Sequence, residues 1–314
     1  MRAPTGIQYE LTRETPSGLA RAVVTEVAAG LRVYSVNGID LVETFDESVQ
    51  PPMAAGIVLV PWPNRIRDGK WTQNGITRQL ALTEPVKQNA SHGLLRFAPY
   101  REVWRSTDTV TLAATVFPQS GYPFHLETEV TYALTSSGLE VTHRVGNVGA
   151  EPAPVAVGAH PFLKIGDVST RDLTVRVDAT THVDVDDRLN PTGETPVAGT
   201  RFDLRAGALV GELDLDDGFG SVGEAGEHSL TAPDGRTLTL WGDESMRYVQ
   251  VFTPRIFPVT QGAGEPVRGL AIAIEPMTAP ANAFNSGAGL HWVEPGEQWV
   301  VRWGIRHAGF ELSA

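Results

Sequence analysis

The stretch "HLETEVTYALTSSGLEVTHRVGNVG" (125–149) alternates apolar and polar residues almost one by one. Val130, Tyr132 and Leu134 share one parity before Ser136-Ser137-Gly138 reverses the chain. Leu139, Val141, His143 and Val145 then alternate back. A period of two sends successive side chains to opposite faces of a pleated strand. The segment therefore predicts an antiparallel hairpin with one buried face and one wet face.

The same signal recurs on both sides of it. "LARAVVTEVAAGLRVYSVNGIDLVE" (19–43) reads as short strands broken at Gly30 and at the Asn37-Gly38 turn. "HSLTAPDGRTLTLWG" (228–242) predicts a hairpin around Asp234-Gly235, and "EQWVVRWGIRH" (297–307) a last alternating strand. With 32 glycines and 22 prolines spread through 314 residues, no long stretch keeps a helical period. No repeat, low-complexity tract or linker stands out. "PRIFPVTQGAGEPVRG" (254–269) is the best long loop, and a domain boundary there would orphan the strands after it. The expectation is one all-β domain over 1–314, a large antiparallel β-sandwich or distorted barrel.

Composition narrows the function. Hydrophobic content of 41% and charged content of 20% fit a soluble globular protein. A net charge of −12 argues against a nucleic-acid or anionic-membrane partner, both of which need a basic surface. No apolar run is long enough to span a bilayer, and the opening "MRAPTGIQYELTRETPSGL" lacks the apolar core of a signal peptide. The absence of cysteine excludes disulfides, thiolate metal sites and thiol nucleophiles. A cytoplasmic location is expected; oligomeric state is not readable.

Familiar cofactor motifs are missing. There is no Walker loop, no Gly-x-Ser-x-Gly elbow, and "GAGEPVRG" lacks the glycine spacing and the βαβ context of a dinucleotide fingerprint. "ELDLDDG" (212–218) resembles a calcium loop loosely, through Asp214, Asp216 and Asp217. Ala225 stands at the position of the closing glutamate, so a solvated turn is expected instead. Any metal would need ligands gathered from distant strands.

Some polar groups sit in unusual contexts. In "AIAIEPMTAPANAFN" (271–285) an apolar strand ends on Glu275, pinned by Pro276. A carboxylate there costs several kcal/mol unless paired, so it lies at an edge or is held for chemistry. In "PVAVGAHPFLKIG" (154–166) His160 ends an apolar strand beside Pro161 in the same design. His92 precedes Gly93 in "QNASHGLLRFAPY" (88–100), where the backbone can turn sharply. Asn64 and Arg65 follow the rigid Pro-Trp-Pro of "VPWPNRIRDGKW" (60–71). Arg65 offers a planar fork for hydroxyls or a carboxylate, though arginines near turns are usually solvated.

Taken in order, Asn64-Arg65-Ile66, His92-Gly93, Gly158-Ala159-His160-Pro161-Phe162, Glu275-Pro276-Met277-Thr278 with Asn282-Ala283-Phe284, and Glu294-Pro295-Gly296-Glu297 form a specific set. That set closely resembles the aldose 1-epimerase (mutarotase) family over about residues 20–306. The resemblance implies a β-supersandwich that interconverts α and β anomers of a free aldose, of glucose or galactose type, without metal or organic cofactor. By position, Glu275 matches the family's general base and His160 its general acid. His92, Arg65 and Asn64 match groups that hold the sugar, and Gln250 in "YVQVFTP" (248–254) resembles a further polar pocket residue. Gly220 falls where many galactose-type members carry a sugar-anchoring aspartate, with Asp216 the nearest substitute. Acid and base are expected on opposite sides of one pyranose, as carboxylate and imidazolium titrating together. Trp62 or Phe284 would stack on the sugar or belong to the core. Rival readings are a metalloenzyme using His92, His160 and Glu275, a non-catalytic sugar-binding module, and a mutarotase of hexose phosphates. The last needs a basic cluster, and Arg67, Lys70 and Arg96 are thinly spread.

Overall fold

A computed structural model describes residues 3–224, 226–259 and 267–311. The alternating stretch forms the hairpin Leu126–Leu134 and Gly138–Asn147, in unbroken register from Leu126↔Asn147 to Leu134↔Leu139. Val130, Tyr132, Leu134, Leu139, Val141, His143 and Val145 are all buried, as their parity requires. This hairpin lies inside a nine-stranded sheet. The late strand Gln298–Ala308 pairs with Gly138–Asn147 on one side and Thr237–Gly242 on the other. The expected turn at Asp234-Gly235 joins Glu227–Thr231 to Thr237–Gly242.

An eight-stranded sheet faces it, with Asp216–Val222, Tyr248–Phe252 and Ile272–Met277 adjacent at its centre. Val249, Val251, Ile272 and Ile274 share one buried cluster with Leu112, Tyr132, Val141 and Trp303 of the larger sheet. The two inner faces therefore make a sandwich core. Each such side chain contributes roughly 1.5–3 kcal/mol by leaving water. Because residues alternate, the same packing turns Gln250, Ala273 and Glu275 to the opposite face of the smaller sheet.

A further four-stranded sheet includes Leu31–Val36 and Ile39–Asp40, joined at Asn37-Gly38 with φ of 52° and 75°. Among the described residues the α-helix is limited to Ala283–Ser286. No described helix is long and apolar enough to cross a membrane.

Two expectations need correction. The 254–269 stretch is not all loop, since Phe257–Val259 pairs with Val267–Gly269; residues 260–266 lie outside the described residues. The strand carrying Glu275 does not stop there but runs through Pro276 to Met277.

Candidate active site

Strand pairing builds the floor of the site. Gln250 pairs directly with Glu275, and Gly218 pairs with Gln250 on the next strand. On the other side of Glu275 the neighbouring segment is broken by His160-Pro161. Gly158 pairs with Met277, and Phe162 with Ala273, so His160 falls opposite Glu275 in the same register. Gly218, Gln250, Glu275 and His160 thus form one row across the sheet, on the face turned away from the core. His160 is 5% exposed and Glu275 is 2% exposed. Their tips meet, with His160 Nε2 at 3.3 Å from Glu275 Oε1. The pair is therefore side by side, not on opposite sides of a pyranose-sized gap.

Two residues before Gly218, Asp216 faces the same way. Its carboxylate accepts a 2.8 Å hydrogen bond from Gln250 Nε2 and lies 3.6 Å from Arg65 Nη2. The loose calcium-loop pattern therefore dissolves into a strand. Asp216 turns to Gln250 and Arg65, while Asp217 turns to His182 Nε2 at 2.8 Å. Asp214 is exposed, and Ala225 lies outside the described residues. Gly220 is hemmed in by Thr181, Glu194 and Tyr248, and it is Asp216 that borders the site.

The opposing wall comes from two loops that hold each other. Arg65–Arg67 pairs with Asn89–Ser91, and the His92 N–H donates to the Asn64 carbonyl. Asn64 and His92 both adopt left-handed backbone, with φ of 53° and 61°. Gly93 follows with φ 73°, and a Cβ there would sit 2.0 Å from the Val60 carbonyl oxygen. Only glycine fits such a close approach. The His92 ring stands edge-on to His160, centroids 5.5 Å apart.

All the candidate residues, Asn64, Arg65, His92, His160, Asp216, Gln250 and Glu275, line one cavity of about 600 Å³. Glu275 Oε2, His160 Nδ1 and His92 Nδ1 are buried without a hydrogen-bond partner among the described residues. Orphaned polar atoms of this kind are rare in folded proteins and gather where a ligand completes them.

Sequence reasoning overlooked Glu84, and named Arg96 only as one of three scattered basic residues. Glu84 grips Arg65 with both oxygens, at 2.9 Å to Nε and 3.1 Å to Nη2. It stands before Pro85, the same carboxylate-proline pattern that marked Glu275, and that signal was available. Arg96 also lines the cavity, tied to Ser91 Oγ at 2.9 Å. Arg67 instead pairs with Asp186 at 2.8 Å, and Lys70 is exposed away from the cavity. Trp62 and Phe284 pack edge-on against each other in the buried core and do not border the cavity. Among the described residues, no three or more His, Asp or Glu side chains are arranged to hold a metal ion.

Burial sets the charges. Burial, and then the charge of Asp216, push the Glu275 carboxyl well above the ordinary carboxylate range; Arg65 offsets part of this. Burial brings the His160 imidazole down to about 4, with Arg96 and Arg65 adding to the effect. His92 is likewise lowered well below its usual value by burial, then by His160, Arg96 and Arg65. Burial opposes the Arg65 charge, but Glu84, Asp216 and Glu275 more than compensate. Desolvation therefore works against both charges of the expected carboxylate–imidazolium pair.

The likeness to known proteins agrees in extent with this architecture. The aldose 1-epimerase family model matches residues 14–306. An uncharacterized Escherichia coli K12 protein, YihR, is 31% identical over 283 residues, covering 90% of this chain and 88% of that protein. Human galactose mutarotase is 30% identical over 165 residues, which is 50% of this chain and 47% of that protein. In structure, the GalM/aldose epimerase homologue from C. elegans superposes with a TM-score of 0.84 at 19% identity, over 96% of this chain and 99% of that one. Galactose 1-epimerase from Lactobacillus acidophilus gives 0.75 at 20% identity, over 96% and 95%. The two structural likenesses speak for the fold, and the family match over most of the chain carries the assignment: this protein belongs to the aldose 1-epimerase family.

Proposed function

We propose that this protein is an aldose 1-epimerase, interconverting the α and β anomers of a free aldose of glucose or galactose type. The observation that carries this reading is the His160–Glu275 contact of 3.3 Å at the floor of a cavity that Asn64, Arg65, His92, Asp216 and Gln250 also line.

Anomer exchange opens the ring, rotates C1 about the C1–C2 bond, and closes it on the other face. Opening removes the proton of the C1 hydroxyl and delivers one to the ring oxygen. Both oxygens are bonded to C1, so adjacent rather than opposed acid and base tips can serve them. Glu275 takes the hydroxyl proton while His160 gives its own to the ring oxygen, and the C1–ring oxygen bond breaks to leave the aldehyde. Closure reverses each transfer. Each positioned transfer is worth about 10²–10⁴ in rate.

The cycle alternates between two protonation states of the buried pair. The carboxylate–imidazolium pair and the carboxylic acid–neutral imidazole pair hold the same single proton. The first matches the closed sugar, the second the open aldehyde, so no proton need enter from solvent. Asp216 and Gln250 accept and donate to ring hydroxyls, Arg65 and Asn64 fix orientation, and His92 bonds near the ring oxygen.

The test is polarimetry of freshly dissolved α-D-glucose and α-D-galactose with purified protein. Relaxation well above the spontaneous rate is expected for at least one sugar. Binding without acceleration would point to a sugar-binding module instead.

A further inference from the structure

A guanidinium on a long flexible stem orients a ligand only when something else fixes the stem. At Arg65 that something is Glu84. Glu84 Oε2 accepts from Arg65 Nε at 2.9 Å, and Oε1 accepts from Nη2 at 3.1 Å. Two parallel bonds lock the plane of the guanidinium, which a single bond would leave free to swivel. Asn64 Oδ1 accepts from Nη1 at 3.3 Å, and Nη2 also lies 3.6 Å from Asp216 Oδ2.

Glu84 is itself mounted on a braced turn. Its backbone N–H donates to the Asn89 carbonyl at 3.0 Å, and the Asn89 N–H donates back to the Glu84 carbonyl at 3.2 Å. Asn89 Nδ2 adds a 3.3 Å bond to Glu84 Oε2. Asn89 is fully buried and begins the strand Asn89–Ser91, whose other end pairs with Arg65. Its side chain is held in turn by the Arg188 carbonyl at 3.0 Å and by Asn190 Nδ2 at 3.1 Å. Carboxylate and guanidinium thus hang from segments joined by one ladder. The Glu84 side chain remains 26% exposed, and ion pairs in such contact with water add little stability. What this one adds is placement.

We propose that Glu84 is a positioning residue for anomer exchange, fixing the Arg65 guanidinium at the cavity wall and keeping its charge from closing on Asp216 and Glu275. The proposal rests on the anomer-exchange reading. Arg65 feels three carboxylates, Glu84, Asp216 and Glu275, and Glu84 alone grips it at two points. Without that grip the guanidinium moves toward the other two. A closer positive charge favours the ionised form of Glu275.

The experiment uses glucose and galactose, with polarimetry for kinetics and calorimetry for binding. The proteins are the natural chain, Glu84→Gln, Glu84→Asp, Arg65→Met and the Glu84→Gln/Arg65→Met double variant. Glu84→Gln should lower kcat/KM about tenfold, chiefly through KM. It should also shift to lower pH the alkaline limb of activity, where the His160–Glu275 pair loses its last proton. Glu84→Asp keeps the charge, so its alkaline limb should stay in place while KM rises less. In the Arg65→Met background Glu84→Gln should cost nothing further. Equal losses in the two backgrounds, or an unmoved KM or limb in Glu84→Gln, overturn the proposal and leave Glu84 a prop of its own turn. Should Glu84→Gln fail to fold, Glu84→Asp, too short for the two-point grip, is read in both backgrounds for the same loss of KM. If neither sugar is accelerated, the anomer-exchange reading falls, and the calorimetric affinities of the same variants decide whether Glu84 acts through Arg65.

Discussion

His160 stands opposite Glu275 in one antiparallel register, and their side chains touch at 3.3 Å on the face of the sheet turned from the core. Two transfers that occur in one event should not contribute independently. His160→Asn is expected to lower kcat by about 10²–10⁴. Adding Glu275→Gln to it should cost little more than the worse single change. Losses that multiply would show two separate functions, and stopped-flow polarimetry of the two single variants and the double variant reads the difference.

The pH profile follows from the single shared proton. The pair takes up a second proton as pH falls through His160's value of about 4. It loses its last proton as pH rises through the raised Glu275 value. Activity should therefore hold a plateau between an acid limb near 4 and an alkaline limb well above the ordinary carboxylate range. An acid limb at the usual imidazole value, around 6.5, would contradict this assignment.

Asp216 contributes to that upper limb, since its charge helps raise the Glu275 carboxyl. Asp216→Asn removes the charge and should move the alkaline limb to lower pH. It also weakens the partner of Gln250, 2.8 Å away, so KM should rise roughly tenfold. An unmoved limb with altered KM would confine Asp216 to substrate holding.

Acid sensitivity of the fold should trace to buried imidazoles. His143 is buried in the core, accepts a 2.9 Å hydrogen bond from Trp303 Nε1, and is lowered by burial to about 3. A folded value below the unfolded one means the unfolded chain binds the extra proton. Stability is then present above about pH 6.5 and lost as pH falls toward 3. His143→Leu leaves the indole N–H unpaired, costing about 1–3 kcal/mol at neutral pH. Its further loss from pH 7 to pH 4.5 in urea titrations should be smaller than that of the natural protein.

Much of the fold was legible because alternation is a local signal. The hairpin of Leu126–Leu134 and Gly138–Asn147 needs only its own residues to be recognised. The boundary at Glu275 was misjudged because proline looks like a terminator, yet the strand continues through Pro276 paired opposite Val249. The candidate residues converge in one cavity, but their contacts were hidden. Glu84 lies far along the chain from Arg65, and only packing shows the two-point grip. Charge states were hidden for a related reason. Sequence suggests that a carboxylate and an imidazole are near each other, but only burial says whether water remains to support their charges. Trp62 and Phe284 fell to the core because an aromatic beside a motif serves packing or binding with the same local pattern.

The most direct measurement follows the optical rotation of α-D-glucose and α-D-galactose with the natural protein and with Glu275→Gln, which keeps the shape of the side chain. Acceleration by the natural protein that falls close to the spontaneous rate in the variant is the predicted result. Undiminished acceleration by the variant would contradict the role of Glu275 as the proton acceptor.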